Sequence, residues 1–245
     1  MCTVSWSLGQ QGCRLYFNRD ERRSRPRAKP PSVINWKGVP MIAPVDPEGG
    51  GSWIALNCDG GIAFLLNNYA ASFRMDDDRR FQSRGEIPLN LASCSNASQR
   101  LETIRSSASE SYRPFFVGYL SREEGPSLHS WDGQSLEECA TDAPLLTTSS
   151  YLSETIQAYR RTLFDSFRAD GGDDGMWKRG IDFHRDRSCA DAAFNPAMSR
   201  TDAETHCLSR ITVTSDRLQF DYWERDRKGE DFDFVATTTF ADQPS

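Results

Sequence analysis

Short apolar runs, broken by glycine and polar turns, dominate the first third of the chain. They predict strands over residues 3–8, 13–17, 52–57 and 61–66. Asp59-Gly60-Gly61 between the last two is a strong hairpin signal. A polar, proline-containing excursion from about Asp20 to Gly51 separates the second strand from the third. It reads as a long loop, of the kind that often carries function.

The middle of the chain changes period. Apolar residues recur at helical spacing over 86–93 and 97–106, with Pro88 in a first turn and Asn96 as an N-cap. Strands return at 115–120 and 128–131, and the segment 145–148 precedes the next helix. A helix over 153–168 follows, opened by Ser153-Glu154 and showing Ile156, Tyr159, Leu163 and Phe167 on one face, with a shorter one over 176–183. Strands over 207–213 and 218–223, joined through Ser215-Asp216, close the pattern. Strands, then helices, then strands again predict an α+β architecture in a single domain over 1–245. The charged and then polar tail beyond Arg225 is expected to fray over roughly the last 15 residues.

Composition narrows the class. With 38% hydrophobic and 11% aromatic residues, the 245-residue chain can bury a core large enough to offset its ordering entropy. A formal charge of -6 argues against a general attraction to nucleic acid, and the basic stretch over 22–29 reads as a solvated, proline-bounded loop. The sequence shows neither a long apolar span nor a signal-peptide pattern, so a cytoplasmic protein without stable membrane insertion is expected. Seven widely spaced cysteines without a CxxC pair fit reduced thiols.

The candidate chemistry begins at Met1-Cys2-Thr3, which enters a strand at once. Cysteine is small enough for methionine aminopeptidase to act before it, which would place a thiol and a free α-amine on one residue. Their ordinary pKa values, roughly 8.5 and 7.7–8.0, lie close enough for the amine to take the thiol proton. A small apolar residue in a strand is the alternative reading of Cys2. Asn18-Arg19-Asp20-Glu21, placed just after the second predicted strand, adds an Arg that would favour a thiolate and an Asp that could hold an ammonium or the Arg; an exposed charged turn is the alternative. Asn67-Asn68-Tyr69 follows an apolar strand, where an Asn amide could donate to an oxyanion or simply make a turn.

Together Met1-Cys2-Thr3, the NRDE tetrapeptide at 18–21, Arg25-Pro26, Trp36, Gly50-Gly51-Ser52-Trp53 and Leu66-Asn67-Asn68-Tyr69 resemble the NRDE family, whose eukaryotic members are the transport and Golgi organisation proteins. Ser83-Arg84-Gly85 and Ser199-Arg200-Thr201-Asp202 extend the likeness along the chain. That family is similar to the choloylglycine hydrolases and penicillin V acylases. The resemblance therefore implies a four-layer αββα N-terminal-nucleophile hydrolase-like sandwich that cleaves or forms non-peptide amides without a cofactor. By motif, Cys2 would be the nucleophile and its amine the base, Arg19 and Asp20 would orient that terminus, and Asn68 would be the oxyanion donor. Arg200 is the leading candidate for a late Arg, with Arg210 behind it, and Asn18, Glu21, Trp53, Asn67 and Tyr69 are candidate substrate contacts. In those hydrolases two residues separate the Arg from the Asp, whereas here they adjoin, so their roles could be exchanged with Asn18 or Glu21. The implied partner is a small-molecule amide or acyl substrate. The family's link to haem and lipid handling leaves a second reading, a carrier of haem or acyl-CoA on the same fold.

Other chemistries find less support. His129, His184 and His206 are scattered without metal-ligand spacing. His206 and Cys207, adjacent on a predicted strand, are expected to point to opposite faces. Gly49-Gly50-Gly51 lacks the Lys and Ser/Thr of a phosphate loop and is expected to let the backbone approach the N-terminal site.

Overall fold

The computed structural model describes residues 2–69, 71, 81–169 and 171–240. In chain order the strands are β1 (Cys2–Gly9), β2 (Gly12–Arg22), β3 (Lys29–Trp36), β4 (Val39–Val45), β5 (Ile54–Asn57) and β6 (Ile62–Asn67). A 3-10 turn over Arg84–Glu86 leads into α1 (Ile87–Ala92) and α2 (Ala97–Ser107). Then come β7 (Phe115–Ser121), β8 (Gly125–Trp131), β9 (Leu136–Glu138) and β10 (Leu145–Thr148), followed by α3 (Ser153–Ala169) and α4 (Gly172–Arg185). The described chain ends with β11 (Ala203–Val213), β12 (Leu218–Arg225) and β13 (Phe232–Thr239).

The chain falls into two compact units, one from residues 1–27 and 143–238, the other from 28–142 and 239–245. The first carries a six-stranded sheet in the order β10-β1-β2-β11-β12-β13. Leu145 packs with Phe164 of α3 and with Met176 and Phe183 of α4, which fixes the helices to one side of that sheet. Gly180 of α4 sits so close to β2 that a Cβ there would lie 2.3 Å from the Tyr16 ring, so the approach requires glycine. The second unit carries a seven-stranded sheet, β3 through β9 in sequence order. Its core joins Met41, Ala55, Leu65, Phe115 and Val117 to Ile87, Leu91 and Ile104 of α1 and α2. Asn96 caps α2 as expected, accepting from the Gln99 N–H at 3.0 Å.

Two expectations need correction. The excursion from Asp20 to Gly51 is no loop: β2 runs on to Arg22, and β3 and β4 form a hairpin turning at Lys37-Gly38, both at positive φ. Pro30 and Pro31 hid β3, yet they are tolerated because β3 is an edge strand. The tail beyond Arg225 holds β13, the outermost strand of the first sheet, with Phe232 buried against Leu208 and Trp223; only 241–245 lie outside the described residues. Within the second unit the glycines before Ser52 make a close backbone contact. Gly51 stacks on the Gly85 backbone, where a Cβ would come within 2.4 Å, and the Ser52 N–H donates to the Gly85 carbonyl at 2.8 Å. Gly50-Gly51-Ser52 and Ser83-Arg84-Gly85 are thus two halves of one backbone contact.

Candidate active site

Antiparallel register decides which side chains meet in the first unit. Cys2 pairs with Arg19 on β2 and with Thr148 on β10, and its N–H donates to Thr148 Oγ1 at 3.3 Å. Residues directly opposite share a face, so Cys2, Val4 and Trp6 project with Arg19, Phe17 and Leu15, away from the helices. Thr3, Ser5 and Ser7 project with Asn18, Tyr16 and Arg14 toward them. The NRDE tetrapeptide therefore lies inside a central strand, not after it, and alternation divides it: Arg19 and Glu21 on the Cys2 face, Asn18 and Asp20 beneath α3 and α4. Cys2 is only 9% exposed. Burial pushes its thiol up to about 11, with Arg19 acting in the opposite sense, so the side chain is a neutral thiol at pH 7. Met1, whose removal the sequence reading requires, lies outside the described residues.

Asp20 is held from one side only. Its Oδ1 accepts from Thr205 Oγ1 at 2.6 Å, while its Oδ2 has no hydrogen-bond partner among the described residues. The nearest guanidinium belongs to Arg160 of α3, which the sequence reading did not single out, with Nη1 3.9 Å from Oδ2 and both side chains buried. A guanidinium has five N–H donors, and Arg160 directs all of them elsewhere. Nη1 donates to Thr3 Oγ1 at 2.7 Å and Thr147 Oγ1 at 3.2 Å. Nε donates to the Phe194 carbonyl, and Nη2 to those of Ala193 and Asn195. Arg160 thus offers Asp20 charge without a hydrogen bond. A charged residue within an amphipathic helix reads as solvent-facing, and the only clue was its place one residue after Tyr159 on the apolar side.

Asn18 has a different task. Its Nδ2 donates to the carbonyls of His184 and Pro196 at 2.8 and 2.7 Å, so its Oδ1, 2.8 Å from His184 Nδ1, must be the acceptor there. His184 then carries its proton on Nδ1 and accepts from the Ser5 hydroxyl at Nε2, 2.8 Å away. Burial lowers the His184 pKa to about 3, with Arg160 adding to the shift, so the ring stays neutral. Ser5, His184 and Asn18 have the connectivity of a hydrolytic triad. All three are 0% exposed, however, with the ring stacked on Tyr16, so the chain holds them where substrate cannot reach. Asn18 joins the end of α4 to β2.

The remaining first-unit candidates lie toward the surface. Glu21 accepts from Arg19 Nη2 at 3.4 Å and lies 3.5 Å from Arg25 Nε, linking the tetrapeptide to the Arg-Pro pair. Arg200 is paired bidentately with Asp202, at 2.9 and 2.5 Å, and its guanidinium stands 5.4 Å from the centroid of the exposed Tyr151 ring. Asp20 is among the charges acting on it. Arg210 binds Asp221, on the helix side of the sheet and farther along β11.

Four candidates belong to the second unit. Asn67 Nδ2 donates to Tyr69 Oη at 2.8 Å, and Asn68 Nδ2 donates to Ser130 Oγ at 3.1 Å, with the Trp131 carbonyl at 3.5 Å. The Asn68 contacts tie the end of β6 to β8. Trp53 precedes β5, buried, its carbonyl accepting from the Leu65 N–H at 2.9 Å.

One further expectation fails. Thr205 pairs with Asp20, but Cys207, not His206, pairs with Arg19. His206 is the extra residue of a β-bulge, so it and Cys207 share the Arg19 face. Simple alternation cannot reveal this. Among the described residues no group of three or more His, Cys, Asp or Glu is placed to hold a metal ion, and no helix is long and apolar enough to cross a membrane.

Comparison with solved structures shows the fold. A conjugated bile acid hydrolase variant from Clostridium perfringens superposes with a TM-score of 0.58 at 9% identity, covering 100% of this chain and 94% of that one. An N-acylethanolamine-hydrolyzing acid amidase ortholog from Caenorhabditis elegans gives 0.57 at 10% identity, covering 96% and 100%. Penicillin V acylase from Agrobacterium tumefaciens gives 0.52 at 10% identity, covering 91% and 83%. The chain thus has the α+β fold of the N-terminal-nucleophile hydrolases. No curated protein matches its sequence significantly. The model of the family described as Transport and Golgi organisation 2 matches residues 1–158, which include β1, the NRDE strand and the Asn-Asn-Tyr segment, and the chain belongs to that family.

Proposed function

We propose that the protein is a cofactor-independent amidohydrolase or acyltransferase that works through a thioester on Cys2 once Met1 is removed. The observation that carries this reading is the state of Asp20. A buried carboxylate oxygen acts on Cys2 electrostatically, yet accepts no hydrogen bond among the described residues while the adjacent Arg160 spends its donors elsewhere. Leaving such a group unpaired costs about 1–3 kcal/mol or more, and an α-ammonium on Cys2 is the cation that would fill the place. Removal of Met1 supplies it.

The α-amine of Cys2, in its neutral form, takes the thiol proton, and the thiolate attacks the acyl carbon. A C–S bond forms as the carbonyl π pair moves to oxygen. Collapse of that oxyanion breaks the C–N bond, and the departing amine takes the proton back from the α-ammonium. Water then passes a proton to the α-amine and adds to the thioester carbonyl; collapse breaks the C–S bond to release the acid, and the sulfur takes the proton back, while a second amine in place of water gives a new amide. Arg19, opposite Cys2 on the same face, favours the thiolate, and Asp20 favours the ammonium. Similarity in fold to a bile acid hydrolase, an acid amidase and a penicillin acylase supports an amide-type substrate. Turnover of p-nitrophenyl acyl esters and the acyl adduct seen by intact mass should both vanish in Cys2→Ala; full retention of either sinks the reading.

A carrier of haem or acyl-CoA is the second reading, favoured by one observation: the Cys2 thiol is buried and neutral. Saturable binding of haem or acyl-CoA, followed by absorbance and Trp fluorescence, without acylation of wild-type Cys2 would select it.

A further inference from the structure

Arg160, Arg200 and Arg225 each feel the charge of Asp20. Two of them have carboxylates nearer at hand: Asp202 binds Arg200 at 2.9 and 2.5 Å, and Glu204 lies 3.9 Å from Arg225. Arg19, across from Cys2, has Glu21 at 3.4 Å. The carboxylate that acts most strongly on Arg160 is Asp20 itself, 3.9 Å away with both side chains buried.

Arg160 also spans the strands around Cys2. Its Nη1 donates to Thr3 Oγ1 at 2.7 Å and to Thr147 Oγ1 at 3.2 Å, the neighbours of Cys2 on β1 and of Thr148 on β10. Thr148 in turn accepts from the Cys2 N–H at 3.3 Å. A guanidinium stays ionised when buried, and this one makes itself felt nearby: after burial, it is the second cause of the lowered His184 pKa. The α-amine of a mature Cys2 would lie beside the same charge.

An uncompensated buried charge is costly, so the site should stay neutral as a whole. While the amine is unprotonated and the thiol protonated, Arg160 balances Asp20. Once the amine takes the thiol proton, ammonium and thiolate appear together, and the four charges again sum to zero. Without Arg160, Asp20 would be balanced by an ammonium at rest, and an ammonium cannot act as a base.

We propose that Arg160 is a positioning residue that offsets the charge of Asp20, so that the α-amine of Cys2 rests as the free base that proton transfer from the thiol requires. The inference rests on the thioester reading. It gives a reason for a buried cation to stand by Asp20 without a hydrogen bond to it, since a bonded guanidinium would occupy Oδ2.

The test is the pH dependence of Cys2 acylation in the full-length protein, using an excess of a p-nitrophenyl acyl ester and intact mass. Burial holds His184 at about 3, His206 at about 4 and the Cys207 thiol at about 12, so none of them titrates where an amine does. Arg160→Gln keeps an amide donor and loses the charge; its acid limb should move to higher pH by about one unit, roughly a tenfold loss of rate on that limb. Arg160→Lys keeps the charge and loses most of the hydrogen bonds, so its limb should stay at the wild-type pH. Adding Asp20→Asn to Arg160→Gln should bring the limb back. A limb unmoved in Arg160→Gln, or moved as far in Arg160→Lys, would overturn the proposal. The proposal is tested without any Arg160 variant by nitrogen NMR titration of the α-amine in Cys2→Ser protein. That amine should titrate at or below its ordinary range of roughly 7.7–8.0 despite Asp20, and a value above about 9 would overturn the proposal. Loss of Cys2 acylation in wild type would instead overturn the thioester reading, while the amine titration would still decide the role of Arg160.

Discussion

On the helix side of the six-stranded sheet, Thr3, Ser5, Asn18, Arg160 and His184 are buried and each is hydrogen-bonded. On its other face, Cys2, His206 and Ser209 are buried around Arg19, and two of them keep a polar atom without a partner among the described residues. Both sides place polar groups in low-dielectric surroundings. The first uses them to lock α3 and α4 to the sheet, since any loss would leave another buried group unpaired. The second leaves two of them unpaired. Mutual satisfaction explains why the triad-like Ser5, His184 and Asn18 belong to the scaffold, while Ser7, on the same side, is buried with its Oγ unpartnered among the described residues. Asp20 stands between: its position is on the helix side, but its Oδ2 is unfilled.

Substitutions should rank by that distinction. The largest effect is expected at Arg160, where Arg160→Ala removes five hydrogen bonds and leaves Asp20 without its nearest cation, a loss of about 3–5 kcal/mol in urea denaturation. His184→Ala should cost about 2–3 kcal/mol, because the Ser5 hydroxyl and Asn18 Oδ1 both lose a partner. A cost below 1 kcal/mol at either position would mean that the helix side is not the lock described.

Acid should probe the same network. The folded-state pKa of His184 is lowered, from 6.5 to about 3, so the unfolded chain binds more protons between those values. The stability contributed by neutral His184 is complete above pH 6.5 and is lost as pH falls toward 3; His206, lowered to about 4, adds to the same limb. Denaturation midpoints measured from pH 7 to 4 should fall more gently in His184→Gln than in wild type, and parallel curves would contradict the assignment. The smallest effect is expected from a pair of serines. Ser5→Ala should cost about 1–2 kcal/mol, whereas Ser209→Ala should be neutral or slightly stabilising, within about 0.5 kcal/mol. Equal costs would erase the contrast between the faces.

Much of the fold was legible because it is written in alternation. β1, β6, β7 and β12 lie within a residue or a few of their predicted bounds, and α2 and α3 nearly coincide with theirs. What escaped is what alternation and propensity do not encode. β2 continues through five polar residues because β11 pairs with it as far as Arg22 and β1 as far as Arg19, a tertiary effect that overrides β-propensity. Prolines masked an edge strand at β3. At the site, motif reasoning brought Cys2, Arg19 and Asp20 together, and register shows why they belong together, but a motif cannot say that Asn18 faces the other way to serve His184. Arg160 and the His206 bulge were invisible for one reason: each acquires its meaning from a residue more than a hundred positions away.

The central claim is that Cys2 reacts as the first residue of the mature protein. Intact-mass spectrometry of the purified wild-type protein, before and after brief exposure to an excess of a p-nitrophenyl acyl ester, tests it most directly. The mass should lack Met1 and then gain one acyl group that maps to Cys2 and decays with time as the thioester hydrolyses. Retained Met1, or an acyl group on another residue with Cys2 unmodified, would contradict it.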